Sequence, residues 1–216
     1  MVGKIYKGLK AHYKALLLVI LTSGAVQAET LRVVAFGDSL TAGFGLPDSE
    51  GFVPQLEAWL KGQGADVEVI NAGLSGDTTS GGLGRVAWVL AEGADLVVVE
   101  LGANDMLRGV SPAEARRNLD GILAEISGRG INIVLAGMLA PPNYGAEYRE
   151  EFDSIYPDLA EKYDATLYPF FLNGLGGAGG VAELFALMQP DGMHPNAKGV
   201  KLIVADFGPT ILAALE

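Results

Sequence analysis

Residues 31–45 read LRVVAFGDSLTAGFG, and the change within them from branched apolar residues to small and polar ones decides the fold. Leu31–Phe36 is short, rich in branched side chains and without regular polar alternation. Such a run reads as a strand covered on both faces, as in a parallel sheet. Val67–Ile70, Leu96–Val99 and Ile131–Ala136 repeat the pattern, and Thr166–Tyr168 is a weaker fifth run. Between them, Phe52–Gly62, Gly82–Glu92, Pro112–Gly128 and Tyr148–Tyr163 carry apolar residues at helical spacing. Ser111, Pro112 and Glu114 form a helix start, with serine as N-cap and proline in the first turn. Pro195-Asn196 precedes a last helix through Leu215, and Gly208-Pro209 marks where it would break. Strand–helix alternation of this kind predicts one three-layer α/β/α sandwich around a mostly parallel five-stranded sheet, with right-handed crossovers. No internal repeat or interdomain linker interrupts it. Gly174–Gly180 reads as a mobile surface loop, and Trp59 and Trp88, on amphipathic helices, read as core.

The 216 residues suit a single domain, and half of them are hydrophobic, enough for a sizeable core. Cysteine is absent, which excludes a disulfide scaffold, a thiol nucleophile and a thiolate zinc site. Lys4, Lys7, Lys10 and Lys14 precede the apolar run Ala15–Val26, and Val26-Gln27-Ala28 places small residues where a signal peptidase reads. The expectation is a signal peptide over residues 1–28, cleaved after Ala28, and a periplasmic or secreted domain over residues 29–216. The alternative, an uncleaved anchor, suffers from length, since a span needs about twenty apolar residues. Past the signal, 11 basic residues face 26 acidic ones, a balance of −15. That charge leaves no footprint for nucleic acid and repels anionic membrane surfaces. His12 lies within the signal, so the mature domain would keep one histidine, His194.

In sheets of this type, ligands gather beyond the carboxyl ends of the strands. Three of the apolar runs end in small and polar residues: Gly37-Asp38-Ser39, Asn71-Ala72-Gly73 on to Gly76-Asp77, and Gly102-Ala103-Asn104-Asp105. Ser39, on a tight turn, can present its hydroxyl as a nucleophile once a base takes its proton. Taken alone, the tetrapeptide fits better as a helix cap through Asp38 or Ser39, and it lacks the glycine spacing and lysine of a P-loop. Asp191-Gly192-Met193-His194-Pro195 adds a base. Pro195 keeps His194 out of helical geometry, and Asp191 can fold back to accept from one ring nitrogen, leaving the other free. A solvated surface turn is the competing reading of that segment. Asn104 and a backbone N–H such as that of Gly76 can donate to a developing oxyanion, although both types are also ordinary turn residues. A lone histidine among scattered carboxylates makes a poor metal cluster.

Taken in order, G-D-S-L at 37–40, Gly76, G-x-N-D at 102–105 and D-x-x-H at 191–194 resemble the SGNH hydrolases, also called the GDSL family, from Leu31 to about Leu215. The likeness is greatest to its bacterial thioesterase I, lysophospholipase and arylesterase group, through Thr41-Ala42-Gly43-Phe44-Gly45, Ser75-Gly76-Asp77-Thr78, Pro142-Asn143-Tyr144-Gly145, Ile155-Tyr156-Pro157 and Tyr168-Pro169-Phe170-Phe171. The resemblance implies a flavodoxin-like sheet and a serine esterase or thioesterase working through an acyl-enzyme. Ser39 would be nucleophile and backbone oxyanion donor, Gly76 and Asn104 the other donors, His194 base then acid, and Asp191 its orienting partner. Asp38 and Asp105 would hold the two loops, and no cofactor or metal is implied. The substrate would be a small acyl ester or thioester. Met138, Leu139 and Pro142, following a strand end, line an acyl pocket or else a packed loop. Two departures stand out, Gly73 where some relatives have serine and the run Gly174–Gly180. Two other readings remain: a carbohydrate acetylesterase of the same family, and a non-catalytic flavodoxin-like binding module, which leaves His194 unexplained.

Overall fold

The computed structural model describes residues 30–177 and 180–216; the expected signal, residues 1–28, lies outside them. Five strands form one sheet: β1 (Leu31–Gly37), β2 (Val67–Gly73), β3 (Leu96–Glu100), β4 (Asn132–Ala136) and β5 (Thr166–Tyr168). All pairs are parallel and the spatial order is β2-β1-β3-β4-β5. β3 is buried along its whole length, and β1 and β4 along most of theirs. That is why their sequences are near-continuous apolar runs. β2 departs from the expectation of cover on both faces, because it is an edge strand and alternates, with Glu68 and Asn71 exposed.

The helices are α1 (Ser39–Ala42), α2 (Phe52–Gly62), α3 (Thr79–Val89), α4 (Ala103–Leu107), α5 (Pro112–Gly128), α6 (Ala146–Asp153), α7 (Ile155–Tyr163), α8 (Val181–Phe185) and α9 (Ala197–Ala213). α2 packs with α9, and α3, α5 and α7 pack in a row, so the sheet lies between two helical layers. Ser111 caps α5 by accepting from the Glu114 N–H, with Pro112 in the first turn. A cap of this kind contributes about 1 kcal/mol.

Four further expectations need correction. The stretch 148–163 is two helices with a junction at Ser154, because Pro157 has no N–H and fits only in a first turn. α3 starts at Thr79, earlier than expected, with Thr78 as its cap. α9 runs unbroken through Pro209. Trp88 is 80% exposed. Gly82 and Val86 face the core on α3, and a residue two positions beyond Val86 is turned about 200° away from it. Trp59, in contrast, is half-buried against the core, beside Gly208.

The chain order reverses at β1, which has β2 on one side and β3 on the other. Such a switch point opens a crevice beyond the carboxyl ends of the two central strands. The turns that leave β1 and β3 carry Ser39 and Asn104.

Candidate active site

Asp38 caps the short helix α1, its Oδ1 accepting from the Leu40 N–H at 3.0 Å. The capping role thus falls to Asp38 and leaves the Ser39 hydroxyl for another partner. His194 Nε2 stands 2.8 Å from Ser39 Oγ, across 155 positions of sequence. The other ring nitrogen, Nδ1, is 2.6 Å from Asp191 Oδ2. Asp191 Oδ1 accepts from the backbone N–H groups of Met193 and His194, at 2.9 and 3.0 Å. The His194 backbone and ring bonds, then the Met193 bond, hold the Asp191 carboxyl down to about 2. With Nδ1–H donating to that carboxylate, Nε2 is left to accept from the serine. The D-x-x-H segment is therefore a turn folded back on itself, with its histidine aimed into the crevice.

Across the crevice, Asn104 Nδ2 donates to Asp38 Oδ2 at 2.9 Å, so one carboxylate ties the serine turn to the asparagine turn. That bond uses one amide hydrogen of Asn104 and leaves the second to donate elsewhere. Gly76 sits at φ +81°, a left-handed conformation that a side chain would strain. The backbone N–H groups of Ser39 and Gly76 have no acceptor among the described residues. Two arginines brace the Gly76 loop. Arg108, at the end of α4, donates to the Gly76 carbonyl at 2.7 Å. Arg85 pairs with Asp77 and donates to the carbonyls of Ala72 and Gly37, joining the ends of β1 and β2 to that loop. Asp105 accepts from the Thr79 N–H and hydroxyl, holding α4 to the start of α3. The structure thus gives Asp38 and Asp105 loop contacts of the expected kind.

The histidine turn is docked by a residue that sequence reasoning did not single out. Gln189 Nε2 donates to the carbonyls of Phe44 and Pro195, and its backbone N–H donates to the His194 carbonyl. Phe44 in turn lies against the imidazole, with ring centroids 4.8 Å apart. Leu74, Leu107, Leu139, Phe185 and Met193 are also exposed on segments that follow strand ends or adjoin His194. The hollow beside Ser39 and His194 is lined by Leu40, Phe44, Leu46, Pro195 and Val200, so its wall is mainly apolar.

Of the three residues read as an acyl lining, Met138 is buried in the core, while Leu139 and Pro142 are exposed on the same loop. Asp153 fixes that loop by accepting from the Ala140 N–H at 2.8 Å. Gly73 packs directly under the backbone of Thr41 and Ala42, where a Cβ would collide with α1. A serine there requires α1 to stand further from β2. Gly174 is no free loop residue, since it packs on the α9 backbone at Leu202 and Ile203, and the next residue, Leu175, is buried. Ala178 and Gly179 lie outside the described residues.

Comparison with known proteins shows the family. The family described as "GDSL-like Lipase/Acylhydrolase family" matches residues 35–202. The chain is 42% identical over 197 residues to "Esterase TesA" of Pseudomonas aeruginosa, covering 91% of this chain and 94% of that protein. It is 36% identical over 201 residues to "Thioesterase 1/protease 1/lysophospholipase L1" of Escherichia coli K12, covering 91% and 89%. Among solved structures, the esterase AlinE4, titled as of the SGNH-hydrolase family, superposes with a TM-score of 0.71 at 49% identity, covering 87% of this chain and 98% of that one.

Proposed function

The chain belongs to the GDSL-like lipase/acylhydrolase family and is an ester-hydrolysing serine hydrolase, and we propose that Ser39, His194 and Asp191 are its catalytic residues. Ser39 attacks the acyl carbonyl while His194 Nε2 takes its proton. The oxyanion receives hydrogen bonds from the Ser39 and Gly76 backbone N–H groups and the Asn104 side chain. His194 returns the proton to the leaving group; it then draws a proton from water as the water oxygen adds to the acyl carbon, and gives that proton to Ser39 Oγ as the acid departs. Asp191 fixes the tautomer and stabilises the imidazolium that forms. The observation that carries this reading is the unbroken relay Ser39 Oγ to His194 Nε2 at 2.8 Å and Nδ1 to Asp191 Oδ2 at 2.6 Å.

The apolar lining beside Ser39 and His194 favours acyl chains on aryl alcohols, lysophospholipids or thiols over acetylated sugars, which need polar contacts. Leu139 and Pro142 are the parts of the expected lining that stand where a chain can meet them. Residues 1–28 act as a cleaved export signal in this reading, so secreted material begins at Glu29; recovery of Met1 by N-terminal sequencing would overturn it. No described helix is long and apolar enough to cross a membrane.

Labelling with a fluorophosphonate tests the central assignment. Modification maps to Ser39, and Ser39→Ala abolishes both labelling and p-nitrophenyl ester hydrolysis while leaving the melting temperature near that of the parent. Turnover retained by Ser39→Ala would refute it.

A further inference from the structure

Glu100, the last residue of β3, has no exposed surface, and Asp38 is 1% exposed. The absence of a side chain at Gly37 makes room for Glu100, because a Cβ there would lie 2.7 Å from Glu100 Oε2. That oxygen accepts from the Thr41 hydroxyl at 2.8 Å and from the Asp38 N–H at 3.3 Å. Glu100 Oε1 is buried and has no donor. An ionised carboxylate with an orphan oxygen in such a place costs several kcal/mol. The charged groups around it offer no relief. Asp38 and Asp105 are acidic, and the Tyr156 hydroxyl donates to the Leu101 carbonyl instead. His194, whose ring faces Ser39 Oγ and Asp191, makes no hydrogen bond to either carboxyl. Arg85, which reaches the end of β1 at the Gly37 carbonyl, spends its bonds on Asp77 and the Ala72 and Gly37 carbonyls.

We propose that Asp38 and Glu100 share one proton, held on Glu100 as a neutral carboxylic acid, and that the pair is a positioning device that aims the Asn104 amide at the oxyanion. The proton belongs on Glu100 because both Asp38 oxygens accept a hydrogen bond, from the Leu40 N–H and Asn104 Nδ2, whereas Glu100 Oε1 accepts none. Burial, and next the charge of Asp38, push the Glu100 carboxyl well above its ordinary 4.5. The two residues adjoin, since Glu100 Oε2 accepts from the Asp38 N–H. In this arrangement the acid donates to Asp38, whose other contacts fix the serine turn and Asn104 together. Neither Asp38 nor Glu100 touches substrate; both act through Asn104.

The proposal rests on Asn104 being an oxyanion donor, so the test separates the two claims. In protein labelled with 13C at the glutamate carboxyl, one resonance stays in its acid form through neutral pH and is missing from Glu100→Gln. Glu100→Gln, a neutral isostere that can still donate to Asp38, keeps kcat within about threefold, whereas Glu100→Leu lowers kcat by about tenfold or more with KM nearly unchanged. The sign of the stability effect is also set. A carboxyl raised on folding costs stability as pH climbs above 4.5, so the melting temperature of Glu100→Gln gains on the parent as pH rises. A Glu100 resonance that titrates with the other glutamates would overturn the shared proton whatever the activity shows. Loss of kcat in folded Glu100→Gln equal to that in Glu100→Leu would overturn the positioning role.

Discussion

Ser39 and Asn104 stand on turns that leave the buried ends of β1 and β3, whereas Asp191 and His194 stand on an exposed turn ahead of α9. The side that carries the proposed nucleophile is anchored by Asp38, Thr41, Thr79, Glu100 and Asp105, all buried polar residues. Each must be paired inside the protein, because none can turn to water. The base side keeps its Asp191 side chain 32% exposed and takes its shape from a four-residue turn plus Gln189. One half of the proposed site is thus coupled to the core, and its geometry and the stability of the fold move together. The other is a local device, so it can lose its chemistry while the fold stands.

The largest expected effect falls on the exposed half and leaves the core untouched. His194→Ala lowers kcat on a p-nitrophenyl ester by about 10⁴- to 10⁶-fold, with little change in melting temperature. Activity retained to within tenfold would show that the two halves do not work as one site. Asp191→Asn follows, with a loss of about 10⁴-fold from the wrong tautomer. Because the Asp191 carboxyl is held at about 2, below its ordinary 3.8, the stability it contributes is present above pH 3.8 and lost as pH falls towards 2. Acid unfolding curves between pH 2 and 5 should therefore lose part of their slope in Asp191→Asn.

Asn104→Ala tests the coupled half. The missing donor lowers kcat by about 10²- to 10³-fold with KM nearly constant. Unlike the two substitutions above, it also strips Asp38 Oδ2 of its partner inside the protein, a cost of about 1–3 kcal/mol. Parallel kcat and thermal-melt measurements on His194→Ala and Asn104→Ala therefore separate the halves directly. If both variants melt alike, the nucleophile side is no more tied to the core than the base side.

The same division explains what was legible in the sequence. β1, β3 and β4 announce themselves because strands buried on both faces must be apolar throughout. The Asp191–His194 turn is only half legible: a proline, a glycine and a three-residue reach allow the fold-back, but a solvated surface turn has the same pattern until the ring is seen against Asp191 and Ser39. Glu100 is hidden for the opposite reason. One acidic residue after Val97-Val98-Val99 reads as the exposed end of a strand, and only the packing of Thr41 and Asp38 around it shows that it is buried. Gln189, one polar residue in a loop, likewise gives no signal until the fold brings Phe44 to it across 145 positions. Trp88 misleads because an apolar side chain on a helix suggests core, while the direction of α3 is set by Gly82 and Val86. Pro157 did carry the break between α6 and α7, and helical spacing on both sides masked it.

Gln189→Ala gives the smallest effect, and it probes how the local half is held. The amide bridges the Phe44 and Pro195 carbonyls, and so connects the loop after α1 to the histidine turn. Removing it leaves the Asp191–His194 bonds intact but frees the turn to shift relative to Ser39. Displacements well under an ångström are enough to weaken proton transfer over a 2.8 Å contact. Turnover should fall by about tenfold, and Asp191 should still show its depressed titration, since its three donors lie within its own turn. The melting temperature should change little, because Gln189 lies at the surface of the site. If the drop in kcat instead came with a changed Asp191 titration, the turn would depend on the strap for its internal shape. The base half would then be less self-contained than its four residues suggest.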